Sequence, residues 1–218
     1  MENCSNITLY SKAPRFNCDS NIGPLKLTDY IGKWIVLFSY SSNFTPVSTT
    51  EVVSFSKYNE EFENRDCQVL GISTDNVPSH IAWIKDIENS TGISIPFPLI
   101  ADSNKEICTM YDMLDNNSGE PNRVVYFISP EQQICCILTY PNEVGRNISE
   151  ILRILDALKM SKENEVETPA NWMPNLSTIE KCSRSYVDLM DNIRKNNTRN
   201  NMDMYLNIND RENSIRRW

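Results

Sequence analysis

The stretch IVLFSYSSNFTPVS, residues 35–48, predicts a buried strand, a short loop and the start of a helix. Its first part is mostly apolar and rich in β-formers, which is typical of a strand buried within a sheet. Thr45 and Pro46 then favour a helix start, because a hydroxyl can cap a helix and proline fits its first position. Ser48 becomes the third helical residue, beside free backbone N–H groups at the positive end of the helix dipole.

Strands and helices alternate from there to about residue 160. The predicted order is β-α-β-α-β-α-β-β-α, which indicates an α/β protein with helices on both faces of its sheet. The short loop at 129–133 predicts an antiparallel hairpin. This order fits a thioredoxin-like fold, a central mixed β-sheet flanked by helices, better than a flavodoxin-like sheet, which would need parallel strands at the hairpin. The predicted strands span residues 35–40, 68–73, 98–101, 123–128 and 134–140. One predicted helix begins at Pro46 and has apolar residues at helical spacing up to Phe62, and the others span 77–89, 106–114 and 147–160.

The sequence changes character after Lys162 and predicts two parts, a domain over 1–162 and a polar C-terminal arm over 163–218. The arm is rich in Asn, Arg and Asp, and only residues 186–193 resemble a helix. Because it is too polar to form its own core, we expect it to pack on something else, such as a dimer partner, or to stay partly loose. Its abrupt end at Trp218 suggests one module of a longer protein.

Composition and charge exclude several classes of function. The formal net charge of −8 argues against a nucleic-acid partner. No apolar stretch is long enough to span a membrane, and no signal peptide is evident at the start, so a cytoplasmic location is expected.

The seven cysteines contain no CxxC pair, which argues against a disulfide framework or a metal site. No cofactor is expected. Cys182 in the arm is the one thiol that could pair with another thiol, within the chain or between chains, and an idle exposed thiol is the more common case.

A Ser-His-Asp hydrolase is disfavoured because no base is evident beside Ser48. The single histidine, His80, lies far along the chain and just inside a predicted helix. We therefore expect a structural role for it.

Residues 44–51, FTPVSTTE, resemble the peroxiredoxin active-site motif, in which proline, three residues, threonine, two residues and cysteine follow one another. Four further blocks match in the same order, and the resemblance extends over about residues 8–175. Together they resemble the 1-Cys, peroxiredoxin-6-like subfamily of the AhpC/TSA family. These blocks are residues 75–83, 95–102, 140–147 and 168–172.

The resemblance implies a thiol-dependent peroxidase that reduces hydrogen peroxide or alkyl hydroperoxides. Position 48 would hold the peroxidatic residue, and Thr45 would hydrogen-bond the peroxide and the thiolate. Arg123 would lower the thiol pKa, Glu51 would orient Arg123, and Arg146 matches a second active-site arginine of the family. A small thiol or a thioredoxin-like protein would be the reductant, and a homodimer or a ring of dimers is implied.

Three departures put the activity of this chain in doubt. Serine stands at position 48 in place of cysteine, Ser41 replaces the motif proline, and Tyr40 replaces a usual histidine. We therefore expect no peroxide reduction by the family's mechanism. Two hypotheses stay open: a peroxidase whose cysteine was replaced by serine, and a natural pseudo-peroxidase that serves as a structural or binding module. The Asn- and Ile-rich composition, the abrupt C-terminus and the subfamily together resemble the peroxiredoxin module of a spore-coat peroxiredoxin–chitinase, which would place the chain in a spore coat.

Overall fold

The computed structural model describes residues 7–181, 185, 187, 208 and 209. Cys182 and nearly all of the helix predicted at 186–193 lie outside the described residues. The chain forms two compact units, residues 1–148 and residues 149–218. The sequence placed a boundary after Lys162 instead, and that boundary stays a prediction.

The first unit is built on a seven-stranded mixed sheet with the strand order β2-β1-β5-β4-β3-β6-β7. Strands β3, β4 and β5 are parallel, and the remaining neighbours pair antiparallel. The predicted hairpin is β6–β7 at one edge of the sheet. The strands are β1 (Asn17–Ser20), β2 (Leu25–Lys26), β3 (Trp34–Ser39), β4 (Cys67–Ser73), β5 (Leu99–Ala101), β6 (Arg123–Ile128) and β7 (Ile134–Tyr140).

Helices connect these strands. Within the described residues, no helix combines the length and the apolar character needed to cross a membrane. The helices are a 3-10 helix (Leu27–Tyr30), α1 (Pro46–Lys57), α2 (Asn59–Glu63), α3 (Val77–Thr91), α4 (Glu106–Met110) and α5 (Ile148–Asn164), and all of α5 after Ile148 belongs to the second unit. That unit also carries a small antiparallel sheet of β8 (Val166–Glu167), β9 (Thr178–Glu180) and β10 (Ile208–Asn209).

Strand β3 is the centre of the first unit, and all of its residues are buried. Its apolar sequence suits this place, since a strand with neighbours on both edges and both faces covered has no solvent-facing side. Phe38 of β3 stacks on Phe55 of α1 with a ring-centroid distance of 4.1 Å. This stack packs the last turn of α1 against β3.

The structure confirms the thioredoxin-like class and excludes a parallel flavodoxin-like sheet, because β6 runs antiparallel to both β3 and β7. Two helix predictions were wrong in extent. The helix predicted to run from Pro46 to the apolar Phe62 breaks at Tyr58 into α1 and α2. The helix predicted at 106–114 ends at Met110, because Asp112 adopts a left-handed conformation with φ of 49°.

Candidate functional site

The loop after β3 and the first turn of α1 position Ser48. Phe44 adopts a left-handed conformation with φ of 56°, and Thr45 is extended, so the chain turns sharply into Pro46 at the first helical position. Ser48 is the third helical residue, as predicted, and its side chain is fully buried. The positive end of the helix dipole therefore lies beside a hydroxyl that is shielded from solvent.

The predicted capping role of Thr45 is wrong, because its hydroxyl makes no hydrogen bond to the helix backbone. Thr45 Oγ1 lies 2.8 Å from the carbonyl oxygen of Ser42 and 2.7 Å from Ser48 Oγ. A hydroxyl has one proton and a carbonyl only accepts, so Thr45 donates to Ser42 while Ser48 donates to Thr45. Thr45 thus connects the loop to Ser48.

Ser48 Oγ has two further neighbours. Arg123 Nη1 donates to it across 3.3 Å, and Ser41 Oγ lies 3.4 Å away. Ser48, Thr45 and Arg123 therefore converge within hydrogen-bond reach, although Arg123 lies 75 residues away from Ser48 in sequence. All the described contacts of Ser48 Oγ are hydroxyls or a guanidinium group, and none of these is a base that could accept its proton.

Glu51 joins the two arginines that the sequence singled out. Its Oε2 accepts from Arg123 Nη1 at 2.7 Å and from Arg146 Nη2 at 2.6 Å. Its Oε1 accepts from Arg146 Nε at 2.8 Å and from the Arg146 backbone N–H at 2.9 Å. Since Glu51 lies one helical turn after Ser48, this carboxylate holds the Arg123 guanidinium against the Ser48 hydroxyl.

Arg146 is buried and contacts neither Ser48 nor Thr45 directly in the described hydrogen bonds. Its Nη1 donates to the carbonyl oxygens of Ser39 and Val124 at 2.8 and 3.2 Å, and its guanidinium carbon lies 5.1 Å from the Phe38 ring centroid. Burial lowers the pKa of Arg146, while its hydrogen bonds to Glu51 oppose that shift. Arg146 therefore ties the ends of β3 and β6 to α1.

A second polar network supports the loop, and the sequence did not predict it. The Tyr40 hydroxyl lies 3.2 Å from Asn43 Oδ1 and 3.3 Å from His80 Nδ1. His80 Nε2 donates to the Ile100 carbonyl oxygen at 3.1 Å, and the Asn43 backbone N–H donates to Asp75 Oδ2 at 2.8 Å. Loop, α3 and β5 are thereby linked. No local sequence pattern relates Tyr40 and Asn43 to His80, because α3 brings His80 to the loop from 37 residues along the chain.

His80 lies inside this network and has no described contact with Ser48. Burial lowers the pKa of His80 below its ordinary value, and Asp75 opposes that shift. The prediction of a structural histidine agrees with this placement, since both ring nitrogens of His80 are engaged, Nδ1 beside Tyr40 and Asn43 and Nε2 at Ile100.

Known proteins resemble this chain in sequence and in fold. The sequence model of the AhpC/TSA family matches residues 9–136, more than half of the chain. The chain belongs to the AhpC/TSA family. A Peroxiredoxin of Thermoplasma volcanium is 44% identical over 174 residues, which cover 80% of this chain and 86% of the relative. The Peroxiredoxin PRX1, mitochondrial, of Saccharomyces cerevisiae is 40% identical over 178 residues, covering 77% and 68%.

Solved structures of 1-Cys peroxiredoxins have the same fold as this chain. The yeast mitochondrial 1-Cys peroxiredoxin superposes with a TM-score of 0.83 at 37% identity, covering 93% of this chain and 98% of that one. A cysteine-to-serine mutant of Peroxiredoxin 6 from Arenicola marina gives a TM-score of 0.77 at 35% identity, covering 85% and 89%. By family, the chain is a thiol-dependent peroxidase, an enzyme class that uses peroxide and a thiol or thioredoxin-type reductant.

Cys67 is one of two buried thiols among the described residues, together with Cys108. It opens β4 and pairs in register with Trp34, whereas Ser39, which precedes the Ser48 loop, pairs with Ile72. A strand rises about 3.3 Å per residue, so Cys67 lies at the opposite end of the strands from the loop that leads to Ser48. Cys67 is therefore separated from the Arg123 and Thr45 side chains.

Proposed function

We propose that position 48 is the peroxidatic position and that this chain, which carries serine there, does not reduce peroxide by thiol chemistry. One observation carries the proposal. Ser48 Oγ is the atom that Thr45 and Arg123 both reach, at 2.7 and 3.3 Å, and Arg123 is held there by Glu51. These side chains form a site for a small, negatively charged nucleophile at a helix N-terminus.

With cysteine at position 48, the site would support a two-electron oxidation. The thiolate attacks one peroxide oxygen, the O–O bond breaks, and the sulfur becomes sulfenic acid. The other oxygen leaves with the bonding electron pair and takes up a proton, giving water or an alcohol. Two reductant thiols then return the sulfenic acid to the thiol, releasing one water and one disulfide.

The side chains around position 48 would have different roles in this reaction. Arg123 stabilises the thiolate and the charge that develops on the leaving oxygen, because its guanidinium lies within reach and is shielded from water. Glu51 and Arg146 are positioning residues, since they hold Arg123 and the strand ends. The Thr45 hydroxyl, free to reorient, donates to the thiolate or the bound peroxide.

Serine at position 48 removes the nucleophile and leaves the surroundings in place. Its hydroxyl does not ionise near neutral pH, and no base among its described contacts takes its proton. We therefore expect the chain to show background peroxide turnover only.

The test is the Ser48→Cys variant, assayed for hydrogen peroxide turnover with dithiothreitol. Removing a catalytic nucleophile commonly lowers a rate by roughly 10⁴-fold or more, so restoring it should raise turnover far above the parent chain. The thiol pKa of the variant should lie below the ordinary value of about 8.5, measured by the pH dependence of its alkylation against the parent. A second substitution, Arg123→Gln, should raise that pKa.

Two results would contradict the proposal. The first is a folded Ser48→Cys variant without turnover above background. The second is a parent chain that reduces peroxide and loses this activity on Cys67→Ala, since the nucleophile would then be Cys67.

A pseudo-peroxidase with a structural or binding role is the second candidate, and the hydroxyl network favours it. Ser41, Thr45 and Ser48 satisfy one another, and Tyr40 is committed to Asn43 and His80, so the altered positions form a packed interior. Under this candidate, Ser48→Cys stays inactive while the fold is retained. The gene's own codon at position 48 separates a natural serine from a replaced cysteine.

The reductant, assembly and location also belong to the proposal. A small thiol or a thioredoxin-like protein is the proposed reductant once cysteine is present, and a homodimer or a ring of dimers is the proposed assembly. The cytoplasm is the proposed location. The relatives reported above carry peroxiredoxin names, which gives no support to the spore-coat alternative.

A further inference from the structure

A cavity lies at the opposite end of β6 from the site at Ser48. It occupies about 430 Å³ between the β6–β7 turn and the segment that precedes β1. Arg123 begins β6 and contacts Ser48, whereas the turn follows Ile128 at the other end of that strand. The cavity is therefore separate from the peroxidatic site. Its lining residues are Lys12, Ala13, Arg15, Ile31, Glu131 and Gln132.

Backbone hydrogen bonds hold the cavity walls together. The Ala13 N–H donates to the Gln132 carbonyl oxygen at 2.9 Å, and the Gly32 N–H donates to the Pro130 carbonyl oxygen at 3.0 Å. Gln132 itself adopts a left-handed conformation with φ of 62°, fixed by its N–H donating to Ser129 at 2.8 Å. These bonds indicate a preformed cavity.

Gln132 has a carboxamide without partners. The residue is 9 % exposed, and neither the nitrogen nor the oxygen of its side chain has a hydrogen-bond partner among the described residues. Leaving both groups of an amide unpaired and buried costs free energy. A ligand in the cavity, which Gln132 lines, could supply both the donor and the acceptor that this carboxamide lacks.

The charges of the lining favour an anionic ligand. Arg15 is exposed and makes no hydrogen bond or ion pair with the described residues, so its guanidinium is available. Lys12 Nζ donates to the Glu131 carbonyl oxygen at 3.1 Å and keeps further donors. The Glu131 carboxylate is engaged by the Ser129 hydroxyl at 2.8 Å. Two cations thus face one carboxylate that is already hydrogen-bonded.

We propose that this cavity binds the end of a short peptide that carries a free carboxylate. Arg15, assisted by Lys12, would bind the carboxylate in the planar, bidentate manner that guanidinium groups favour. The Gln132 carboxamide would pair with the adjacent peptide group, which offers one donor and one acceptor. Ala13 and Ile31 would contact small apolar side chains. The cavity volume lies within the range of small-molecule sites.

The test uses N-acetyl-Ala-Ala with a free carboxylate and the same peptide with an amidated end. Both are titrated into the ¹⁵N-labelled protein to about 10 mM, where a site with a Kd near 1 mM is mostly filled. We expect saturable amide-shift changes at residues 12–15, 31 and 131–133, and binding at least about tenfold weaker for the amidated peptide. Arg15→Gln should weaken binding of the acid by a similar factor.

Two further variants keep the test specific. Gln132→Met removes the carboxamide at similar length and should weaken both peptides, whereas Lys85→Gln on α3 removes an exposed cation elsewhere and should weaken neither. The proposal is overturned if no saturable change occurs at the cavity residues, if the two peptides bind equally, or if Lys85→Gln acts like Arg15→Gln. The same spectra report whether each variant is folded.

Discussion

Glu51 is the residue on which the two buried arginines depend. Both of its carboxylate oxygens are occupied, and its partners Arg123 and Arg146 are almost fully buried. Removing one member of a buried ion pair leaves the other charge uncompensated, which costs more than the pair contributes. Glu51 therefore affects stability as well as the geometry around Ser48.

We expect Glu51→Gln to lower the free energy of unfolding by about 3–5 kcal/mol, measured by urea denaturation, because two buried guanidinium groups lose their counter-charge. Glu61→Gln is the matched control, since it breaks the exposed Arg65–Glu61 pair of 2.7 Å and should cost no more than about 1 kcal/mol. Equal losses of unfolding free energy in the two variants would show that burial does not determine how much the Glu51 cluster contributes to stability.

His80 gives a direct readout of the network behind the loop, because it is the single histidine of the chain. Burial lowers its pKa in the folded protein, so we expect its NMR titration midpoint to fall below about 6.5. The unfolded chain then binds the proton more readily. Stability from His80 is present above pH 6.5 and is lost as the pH falls from there towards the folded pKa.

The stability loss should follow a slope of up to about 1.4 kcal/mol per pH unit, and it should be absent from a His80→Gln variant. A titration midpoint at or above the ordinary histidine value would contradict the buried, neutral imidazole that the contacts to Ile100 and Tyr40 indicate.

At the scale of elements, the close packing of β3, β4 and β5 depends on Gly71. A Cβ atom at this position would lie 2.7 Å from Leu99 Cδ2 and 3.0 Å from Phe38 Cζ. The first contact is shorter than van der Waals packing permits, and both neighbours are fully buried. Leu99 and Phe38 would have to leave their rotamers or shift their strands.

We expect Gly71→Ala to destabilise the protein by about 1–3 kcal/mol, the usual cost of overpacking a core, as measured by thermal or urea unfolding. Gly145→Ala is the control, because its new Cβ would meet Val47 Cγ1 at an ordinary 3.6 Å. If Gly71→Ala were as stable as Gly145→Ala, the close approach of these strands would not limit the core.

Elements with strong periodicity were predictable, and short or interrupted ones were not. Strand β3 was placed within one residue, because an apolar run with a helix start behind it has few alternatives. Strands β1 and β2 carry no such signal. They exist through pairing, as Asp19 opposite Ala101 shows, and that partner lies far away in sequence.

The residues of the candidate site were predictable through the motif, but the hydrogen bonds between them were not. The resemblance named Thr45, Ser48, Glu51, Arg123 and Arg146, and the structure brings these five side chains into one connected cluster. The direction of the Thr45 hydroxyl and the Tyr40–His80 contact depend on the loop conformation. Tertiary packing sets that conformation, and a local pattern does not reveal it.

At the scale of the whole molecule, family membership does not fix the number of chains in the assembly, and an experiment must determine it. Peroxiredoxin resemblance implied a homodimer or a ring of dimers, and closed symmetric assemblies are the rule for soluble oligomers. We expect sedimentation at micromolar concentration to give a mass of at least twice the 25.1 kDa of the chain. A single species at the mass of one chain would reject the proposed assembly.

The buried cluster at Glu51 also has a consequence for charge balance. Two guanidinium groups share one carboxylate, so one formal positive charge has no anionic counter-ion among the described contacts of the cluster. The neutral hydroxyl of Ser48 cannot supply it, whereas a thiolate at that position would. Under the proposed function, a thiolate at position 48 would therefore be both the nucleophile and a structural anion, and serine can replace neither role.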